Sequence, residues 1–301
     1  MAAAEHDLEG ASLAALRDLV RLALREDVGP GDLTAAAVVP RALQARATVS
    51  AKSAGRFSGL PAAQAVFAEL DPHLTLVAAR DEGEAFSAGD LILTLYGSAT
   101  AILAGERTAL NFLQHLSGVA TQTARYVAAV SGKPIAILDT RKTTPGLRAL
   151  EKRAVRHGGG QNHRQGLFDA LLVKENHVAA AGGFDAAVSA AVAHAARRVP
   201  PAPVIVEVRT ADELALAVRP GVTRILLDNF SPGEVGRAVA RIDALAGAGS
   251  RPGIEVSGGI ALETIAAYAL PGVDCISIGA LTHSVPACDF SLILEPEERS
   301  I

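Results

Sequence analysis

The stretch IAILDTRKTTPGLRALEKRAVRHGGGQNHRQGLFDALLVKENH (135–177) carries the pattern from which the fold and the site can be read. Two short apolar runs, ILD near its start and ALLV near its end, predict buried strands. Between Arg141 and His177 there are eight Lys or Arg and three Asp or Glu, a balance of +5 in a chain of net charge −4. The rest of the chain therefore carries −9, and positive charge is concentrated here.

A cationic segment between buried strands is a candidate anion site, because fixed charges in a poorly solvated place bind anions better than a solvated surface does. The alternative is a basic helix on the surface. Three features favour the site: the glycine triplet 158–160, three histidines among the basic residues, and the placement of Arg141 and Lys174 at strand ends. A solvated helix face needs none of these.

After Pro134 one unit recurs: an apolar run, a polar residue at its end, and a helical stretch. The runs are IAILD (135–139), ALLVK (170–174), VIVEV (204–208), RILLD (224–228), GIEVS (253–257) and CISIG (275–279). Their spacing is that of βα units, and six in succession favour a parallel barrel, complete or partial. A doubly wound open sheet is the alternative, because strand order is not visible in a sequence.

The first 115 or so residues show a different pattern, in which strands and helices are mixed. Helical periodicity covers 12–26 and 61–70, and strands are predicted at 48–53, 74–78 and 91–96. This mixture indicates an α+β unit. The stretch 100–130 predicts one long helix or a broken pair.

Composition excludes several classes of protein. Half of the 301 residues are apolar but only 4% are aromatic, so the core is built of Ala, Val, Leu and Ile, as buried parallel strands require. The net charge argues against general nucleic-acid binding. Two cysteines are too few for a disulfide framework. The opening MAAAEHDLEG lacks the features of a signal peptide, and no apolar run approaches the ~20 residues that span a bilayer. We therefore expect a cytoplasmic protein without membrane or nucleic-acid partners.

In parallel α/β folds, ligands bind at the carboxyl ends of the strands. The residues at those ends are Asp139 with Arg141 and Lys142, Lys174, Glu207, Asp228, Ser257 with Gly258 and Gly259, and Gly279. One shared mouth would hold cations on one side, two carboxylates in the middle and two glycine-containing turns on the other.

The glycine turns allow backbone N–H groups to approach a phosphate, although many such turns have no ligand. The neighbouring carboxylates Glu207 and Asp228 are suited to ribose hydroxyls, to Mg²⁺ or to a cation developing at a sugar carbon; a solvated pair of carboxylates is the alternative. Arg107, Arg141 and Arg164 are suited to a carboxylate ligand, because the guanidinium donates two parallel hydrogen bonds.

The histidines do not indicate a metal site. His157, His163, His177 and His283 match no common zinc spacing, and the nearby Arg and Lys residues would repel a cation. For His163 and His283 we expect hydrogen bonds to a carboxylate or a phosphate. His115 is expected to be a helix residue without a chemical role.

Several long motifs resemble one family. They are REDVGPGDLT (25–34), ERTALNFLQHLSG (106–118), DTRKTTPGLR (139–148), HGGGQNHRQGLFD (157–169), KENH (174–177), VEV (206–208), LLDNF (226–230), SGGI (257–260) and GALTHS (279–284). Together they resemble nicotinate-nucleotide pyrophosphorylase (carboxylating), also called quinolinate phosphoribosyltransferase, a type II phosphoribosyltransferase. Glu175 and Arg209 depart from the motifs of that family.

The resemblance implies an α/β fold with an N-terminal α/β sandwich-like domain (1–117, joined by the C-terminal tail 285–301) and an incomplete parallel α/β, TIM-like barrel (118–284). It implies transfer of phosphoribosyl from 5-phosphoribosyl 1-pyrophosphate to quinolinate with decarboxylation, in NAD biosynthesis. Mg²⁺ is the implied cofactor. The implied assembly is a homodimer in which Arg107 reaches the active site of the partner subunit.

The resemblance also assigns roles. Quinolinate would be bound by Arg107, Thr140, Arg141, His163, Arg164 and Lys174. The catalytic residues would be Lys142, which faces the pyrophosphate, with Glu207 and Asp228, which hold ribose hydroxyls and are candidate Mg²⁺ contacts. The remaining contacts to phosphoribosyl pyrophosphate would come from Ser257, Gly258, Gly259, Gly279, Ala280, Leu281 and His283.

Three rival functions remain at this point. One is a related phosphoribosyltransferase that acts on another anionic ring. Another is a non-catalytic sugar-phosphate sensor, against which the intact set of Lys142, Glu207 and Asp228 argues. The third is an RNA-binding protein that uses the basic stretch, against which the acidic net charge and scarce aromatic residues argue.

Overall fold

The computed structural model describes residues 10–247 and 251–296. The first nine residues, on which the signal-peptide expectation rests, and the last five residues of the predicted tail lie outside this range. Contacts divide the chain into two units. The first unit comprises the residues up to Ala124, Thr144–Gly159 and the residues from Val285 on; the second comprises Arg125–Thr143 and Gly160–Ser284.

The first unit mixes helices with antiparallel strands. Its strands are β1 (Gln44–Ala51), β2 (Gly55–Arg56), β3 (Thr75–Ala78), β4 (Ala85–Phe86), β5 (Leu91–Ser98) and β12 (Phe290–Pro296). Its helices are α1 (Gly10–Asp27), α2 (Leu33–Val38), α3 (Leu60–Leu70), α4 (Ala99–Ala129, whose last residues belong to the second unit) and α5 (Arg148–His157). The four-stranded sheet has the order β12-β1-β5-β3, and β2 pairs with β4.

The strand β1 shows why this sheet forms. Its side chains alternate between buried and less buried, with Ala45, Ala47, Val49 and Ala51 in the core. This period of two is typical of a strand with one face on the core. Antiparallel pairing with β12 brings the C-terminal segment into the same sheet as β1.

The long helix α4 is continuous, so of the two sequence-based alternatives the single helix is the one observed. Gly118 in its middle is required by packing, since a Cβ there would lie 2.4 Å from the carbonyl oxygen of Pro286. Absence of a side chain at this position lets the segment before β12 pass against the helix.

The basic helix α5 belongs to the first unit, whereas the sequence prediction placed it in the barrel region. The reason is a set of buried ion pairs. Arg153 donates to Glu82 over 2.5 Å, and Glu151, which is fully buried, lies 2.7 Å from the ring nitrogen Nε2 of His115. The side chain of Lys152 is also buried, so this helix is not the solvated basic face that was the alternative prediction for the segment.

The second unit alternates strands and helices. Its strands are β6 (Ala136–Leu138), β7 (Leu171–Val173), β8 (Val204–Val208), β9 (Arg224–Asp228), β10 (Gly253–Ser257) and β11 (Cys275–Ser277). Its helices are α6 (Glu175–Ala180), α7 (Phe184–Ala196), α8 (Ala211–Ala217), α9 (Pro232–Ala246), α10 (Ile265–Tyr268) and α11 (Ala280–His283). The strands are parallel, in the order β6-β11-β10-β9-β8-β7.

The mixed α/β class, with a separate N-terminal domain and a six-stranded parallel sheet, is thereby confirmed. From β7 to β11 the strands follow chain order, and β6 lies beside β11 rather than β7. This order is the one expected of a barrel open between its first and second strands, and it differs from the order of a doubly wound sheet. Within the described residues, no helix is long and apolar enough to cross a membrane.

Candidate active site

A cavity of about 770 Å³ lies in the second unit, where the carboxyl ends of its parallel strands meet. Most of the predicted site residues line it: Thr140, Arg141, Lys142, His163, Arg164, Lys174, Glu207, Asp228, Ser257, Gly258, Gly259, Gly279, Ala280 and His283. Parallel strands end at the same edge of a sheet, so residues that are up to 143 positions apart in sequence, Thr140 and His283, line the same cavity.

Two predicted residues do not line the cavity. Leu281 is fully buried among core side chains, so only its backbone is available to a ligand. Arg107 lies on α4 in the first unit with an exposed side chain. Its predicted contact with the active site of a partner subunit stays a prediction.

A hydrogen bond between Lys174 and Glu207 links the ends of the neighbouring strands β7 and β8. The Nζ of Lys174 donates a hydrogen bond of 2.6 Å to the Glu207 carboxylate, whose side chain is 7% exposed. The backbone N–H of Lys174 donates to Nδ1 of His177, which closes the first turn of α6. The lysine is thus held at its backbone and at its charged end, between the cationic and the acidic halves of the cavity.

The carboxylate of Asp228, at the end of β9, is oriented by the next residue. Asn229 adopts a left-handed backbone conformation (φ 59°), and its side-chain amide donates to Asp228 over 2.9 Å. The backbone N–H of Asn229 donates to the carbonyl oxygen of Ser257. Asn229 was not among the predicted site residues, yet it lines the cavity and links the ends of β9 and β10.

The loop that carries His163 and Arg164 is held by hydrogen bonds to Asp139, which is fully buried at the end of β6. One oxygen of Asp139 accepts from the backbone N–H of His163 at 2.8 Å, and the other accepts from the side-chain amide of Asn162 at 2.6 Å. The guanidinium of Arg164 donates to the carbonyl oxygen of Ala170. The strand-ending aspartate therefore has a supporting role, and the side chains of His163 and Arg164 line the cavity.

Arg141 and Arg164 form the cationic half of the cavity. Burial, together with the positive charge of Arg141, lowers the pKa of the Arg164 guanidinium, although an arginine remains protonated at neutral pH. Two partly buried like charges are unfavourable unless an anion joins them. Asp169 offsets part of this charge at Arg164, and a ligand that carries negative charge would offset more of it.

Another part of the cavity is formed around Gly279, which follows β11, the neighbour of β6. A Cβ at this position would lie 3.0 Å from the Lys142 side chain and 3.0 Å from Nε2 of His283, so a side chain here would crowd both residues. The hydroxyl of Thr282 donates to the carbonyl oxygen of Lys142 over 2.7 Å and fixes the approach of the two loops. A lysine and a histidine beside a glycine turn are suited to phosphate oxygens.

Sequence reasoning missed Glu255, in the middle of β10. Its side chain is fully buried and lines the cavity, 3.3 Å from Nε2 of His163 and 3.1 Å from the guanidinium of Arg224. The predicted candidates lay near strand ends, in the loops that follow them or, for Arg107, in a helix, and none lay in the middle of a strand. The available signal was an ionisable residue inside the apolar run GIEVS, because a glutamate is rarely buried without partners. We expected His163 to contact a carboxylate, and in the structure that carboxylate is the side chain of Glu255.

Within the described residues, no cluster of three or more His, Cys, Asp or Glu is arranged to hold a metal. The two carboxylates of Glu207 and Asp228 fit a more modest role. Mg²⁺ commonly keeps most of its ligands as water and substrate phosphates and takes one or two carboxylates from the protein. The residues present therefore suit an Mg²⁺ ion that arrives with a phosphorylated substrate.

Comparisons with known proteins agree across the whole chain. Residues 32–117 match the family model of the quinolinate phosphoribosyl transferase N-terminal domain, and residues 119–293 match that of its C-terminal domain. The chain is 39% identical to the probable nicotinate-nucleotide pyrophosphorylase (carboxylating) of Bacillus subtilis, over 95% of this chain and 96% of that protein. It is 42% identical to the nicotinate-nucleotide pyrophosphorylase (carboxylating) of Mycobacterium leprae, over 93% and 97%.

A solved structure agrees as well. The nicotinate-nucleotide pyrophosphorylase of Francisella tularensis is similar to this chain with a TM-score of 0.86 and 38% identity, over 94% of this chain and 97% of that one. The similarity therefore extends to both units and is not confined to the site motifs.

Proposed function

The chain belongs to the quinolinate phosphoribosyltransferase family, and we propose from its cavity how it performs the family's reaction. The enzyme transfers the phosphoribosyl group of 5-phosphoribosyl 1-pyrophosphate to quinolinate with loss of CO₂. The products are nicotinate mononucleotide and pyrophosphate, and the reaction serves NAD biosynthesis. One observation carries the proposal: Arg141, Arg164 and Lys174 face Glu207 and Asp228 in a single cavity.

The cationic half is suited to quinolinate. This pyridine carries two carboxylates, and guanidinium groups bind carboxylates through paired, charge-assisted hydrogen bonds. Arg141 and Arg164 supply these groups, and the ammonium of Lys174 stands at the border with the acidic half. Thr140 and His163 line the same part of the cavity. We assign these residues to the binding of quinolinate.

The acidic half and the glycine corner are suited to the activated sugar. Glu207 and Asp228 can accept hydrogen bonds from the ribose hydroxyls, and the turn of Ser257 with Gly258 can present backbone N–H groups to the 5-phosphate. Gly279 is the N-cap of α11 and His283 is the last residue of that helix, and both line the cavity. Lys142, close to Gly279, is assigned to the pyrophosphate that leaves.

The charges also explain the chemistry. As pyrophosphate departs, positive charge grows at the ribose C1 carbon, and the carboxylates of Glu207 and Asp228 offset it. Lys142 neutralises negative charge on the leaving group. The pyridine nitrogen of quinolinate bonds to C1, and the ring becomes a pyridinium. That positive ring accepts the electron pair of the C–C bond when the adjacent carboxylate leaves as CO₂, and a proton then takes its place on the ring carbon.

The arginines must hold the departing carboxylate without stabilising it more than the transition state, since only differential binding accelerates a reaction. This limits how much positive charge the cationic half of the cavity can place around the departing carboxylate. No covalent nucleophile is needed at any step.

Three further features are proposed for this chain. Mg²⁺ is its cofactor, held by the substrate pyrophosphate with Glu207 or Asp228 as protein contacts; when bound, it neutralises charge on that leaving group. The enzyme is a homodimer in which Arg107 completes the quinolinate site of the partner subunit. It works in the cytoplasm, in keeping with a chain that has only two cysteines, both buried.

The direct test is to incubate the pure protein with Mg²⁺, phosphoribosyl pyrophosphate and quinolinate, and to measure nicotinate mononucleotide and CO₂. Both should form in equal amounts with pyrophosphate. A parallel reaction with nicotinate should give little product, because nicotinate lacks the carboxylate that is lost. Turnover with nicotinate but not with quinolinate would favour a related transferase, and absence of any product would favour a sugar-phosphate sensor.

A further inference from the structure

The buried carboxylate of Glu255 has no role in the mechanism above, yet it lies in the floor of the cavity. Its oxygen Oε2 is shared by two basic groups, Nε2 of His163 at 3.3 Å and the Arg224 guanidinium at 3.1 Å. Its other oxygen, Oε1, is buried without a well-formed hydrogen bond among the described residues, and the hydroxyl of Ser277 is a further donor beside the carboxylate. A carboxylate kept only for stability would be expected to have both oxygens satisfied.

The histidine beside it is held at three points. Its backbone N–H donates to Asp139, its ring nitrogen Nδ1 accepts the backbone N–H of Arg164 at 2.7 Å, and Nε2 meets Glu255. Because Nδ1 is an acceptor, it carries no proton, and the ring proton must reside on Nε2. The ring of His163 is therefore neutral, and its N–H points at Glu255.

The carboxylate is ionised in this arrangement. Burial alone would raise the pKa of Glu255, but hydrogen bonds from His163 and Ser277 and the charge of Arg224 outweigh burial and lower it. An ionised acceptor on one side and a backbone donor on the other leave one stable orientation for the imidazole.

We infer that Glu255 is a positioning residue of the quinolinate site, which acts by locking His163 as a neutral imidazole with its Nε2 proton turned away from the substrate. The imidazole of His163 then contacts quinolinate as an uncharged ring in a fixed orientation. The positive charge for the two carboxylates comes from Arg141, Arg164 and Lys174. This assignment rests on the proposed function, and it replaces a direct, charged contact between His163 and the substrate.

The fixed, neutral state of His163 matters for this reaction. A protonated histidine beside the leaving carboxylate would add a charge that stabilises the ground state, whereas a loose ring would misplace the base relative to the sugar. Glu255 prevents both. Removing it should therefore affect use of quinolinate and leave use of phosphoribosyl pyrophosphate nearly unchanged.

The first experiment needs no turnover. We expect ¹⁵N NMR of histidine-labelled protein without ligands at neutral pH to show His163 with an unprotonated Nδ1 and a protonated Nε2. The signal is assigned by its loss in a His163→Gln variant. A doubly protonated ring, or a proton on Nδ1, would overturn the inference whether or not the enzyme is active.

The second experiment is kinetic. Glu255→Gln should raise KM for quinolinate by about tenfold, with KM for phosphoribosyl pyrophosphate changed less than about twofold. In a His163→Gln background the same substitution should have no further effect on KM, because the two residues act as one. Additive effects of the two substitutions would overturn the inference, as would equal changes in both KM values.

Glu82→Gln is a matched control. Glu82 is another buried carboxylate with a basic partner, Arg153, and a nearby histidine, and it does not line the cavity. Glu82→Gln should lower the melting temperature but leave KM for quinolinate unchanged. If the wild-type protein made no product at all, the proposed function would be wrong. The NMR experiment would still show which ring nitrogen of His163 carries the proton.

Discussion

The pair formed by Lys174 and Glu207 connects the two halves of the cavity through one hydrogen bond of 2.6 Å. Lys174→Met should raise KM for quinolinate by about 100-fold, because it removes a charge-assisted contact and leaves an uncompensated carboxylate beside an anionic base. The free energy of unfolding should fall by only about 1 kcal/mol, since the lysine side chain is 45% exposed and solvent screens the pair.

Steady-state kinetics and thermal unfolding of the same preparation check this prediction. Lys174→Arg, which keeps the charge, serves as its control and should retain most of the affinity for quinolinate. An unchanged KM in the methionine variant would mean that the lysine serves only to neutralise Glu207.

Cys275, on β11, gives a prediction about reactivity. Burial raises the pKa of its thiol from 9.0 to about 12, so at pH 8 the thiolate fraction is about 1,000-fold smaller than for a free thiol. Iodoacetamide at pH 8 should therefore leave Cys275 unmodified in the folded protein and alkylate it after unfolding. Peptide mass spectrometry measures both states, and rapid labelling of the folded protein would contradict the buried placement.

The turn after β10 shows how a strand end becomes a ligand site. At Gly258 (φ +100°) a Cβ would lie 2.2 Å from the Asn229 side-chain oxygen, whereas at Gly259 (φ +59°) nothing lies within 4 Å. Gly258→Ala should therefore displace Asn229 and, with it, the orientation of Asp228. We expect KM for phosphoribosyl pyrophosphate to rise by about 100-fold.

Gly259→Ala is the matched comparison. It meets only the backbone cost of a left-handed residue, about 1–2 kcal/mol of stability, with a much smaller change in KM. Kinetics and melting curves of the two variants separate the effects. Equal KM values for the two variants would show that steric contact with Asn229 does not control the sugar site.

The elements of the second unit could be predicted because their signals are local. The runs at Val204–Val208, Arg224–Asp228 and Gly253–Ser257 are strands with the predicted ends, since each is a buried apolar run whose last or next-to-last residue is polar. The short strands β2 and β4 have no such signal, and β12 depends on a partner, β1, that lies more than 200 residues earlier in the chain. Pairing between distant segments does not appear in local periodicity.

The same difference applies to the site. Residues at strand ends, such as Lys174 and Asp228, were found because topology places every strand end at one edge. Glu255 was missed because it lies inside a strand, where its partners come from other elements. The cations of α5 look the same in sequence as those of the cavity, and only packing separates buried Arg153 from cavity-lining Arg164.

Charge is distributed unevenly over the whole molecule. The chain has a net charge of −4, yet the base half of the cavity is cationic, and the exposed Arg107 lies in the other unit. An anionic substrate must therefore be attracted by the local site and not by the protein as a whole. For a dicarboxylate, a further arginine from a second subunit would add the charge that one chain does not bring to its own cavity.

The proposed dimer can be tested by mixing two inactive variants. Arg107→Ala should lower kcat/KM for quinolinate by at least about 100-fold, although its own cavity is unchanged, and Lys142→Ala should be similarly inactive because the pyrophosphate loses its partner. If Arg107 acts in the neighbouring subunit, a dimer with one chain of each kind has one site with both substitutions and one site with neither. Co-refolding the two variants should therefore restore up to about a quarter of wild-type activity, since half of the dimers are mixed and each has one intact site.

Two controls complete this test. Each variant refolded alone should stay inactive, and Lys142→Ala mixed with Glu207→Gln should gain nothing, because both residues line the same cavity and every mixed site stays defective. Sedimentation of each preparation reports its assembly state. Normal turnover of Arg107→Ala, or a mixture with Lys142→Ala that stays inactive although mixed dimers form, would show that Arg107 does not complete the site of its neighbour.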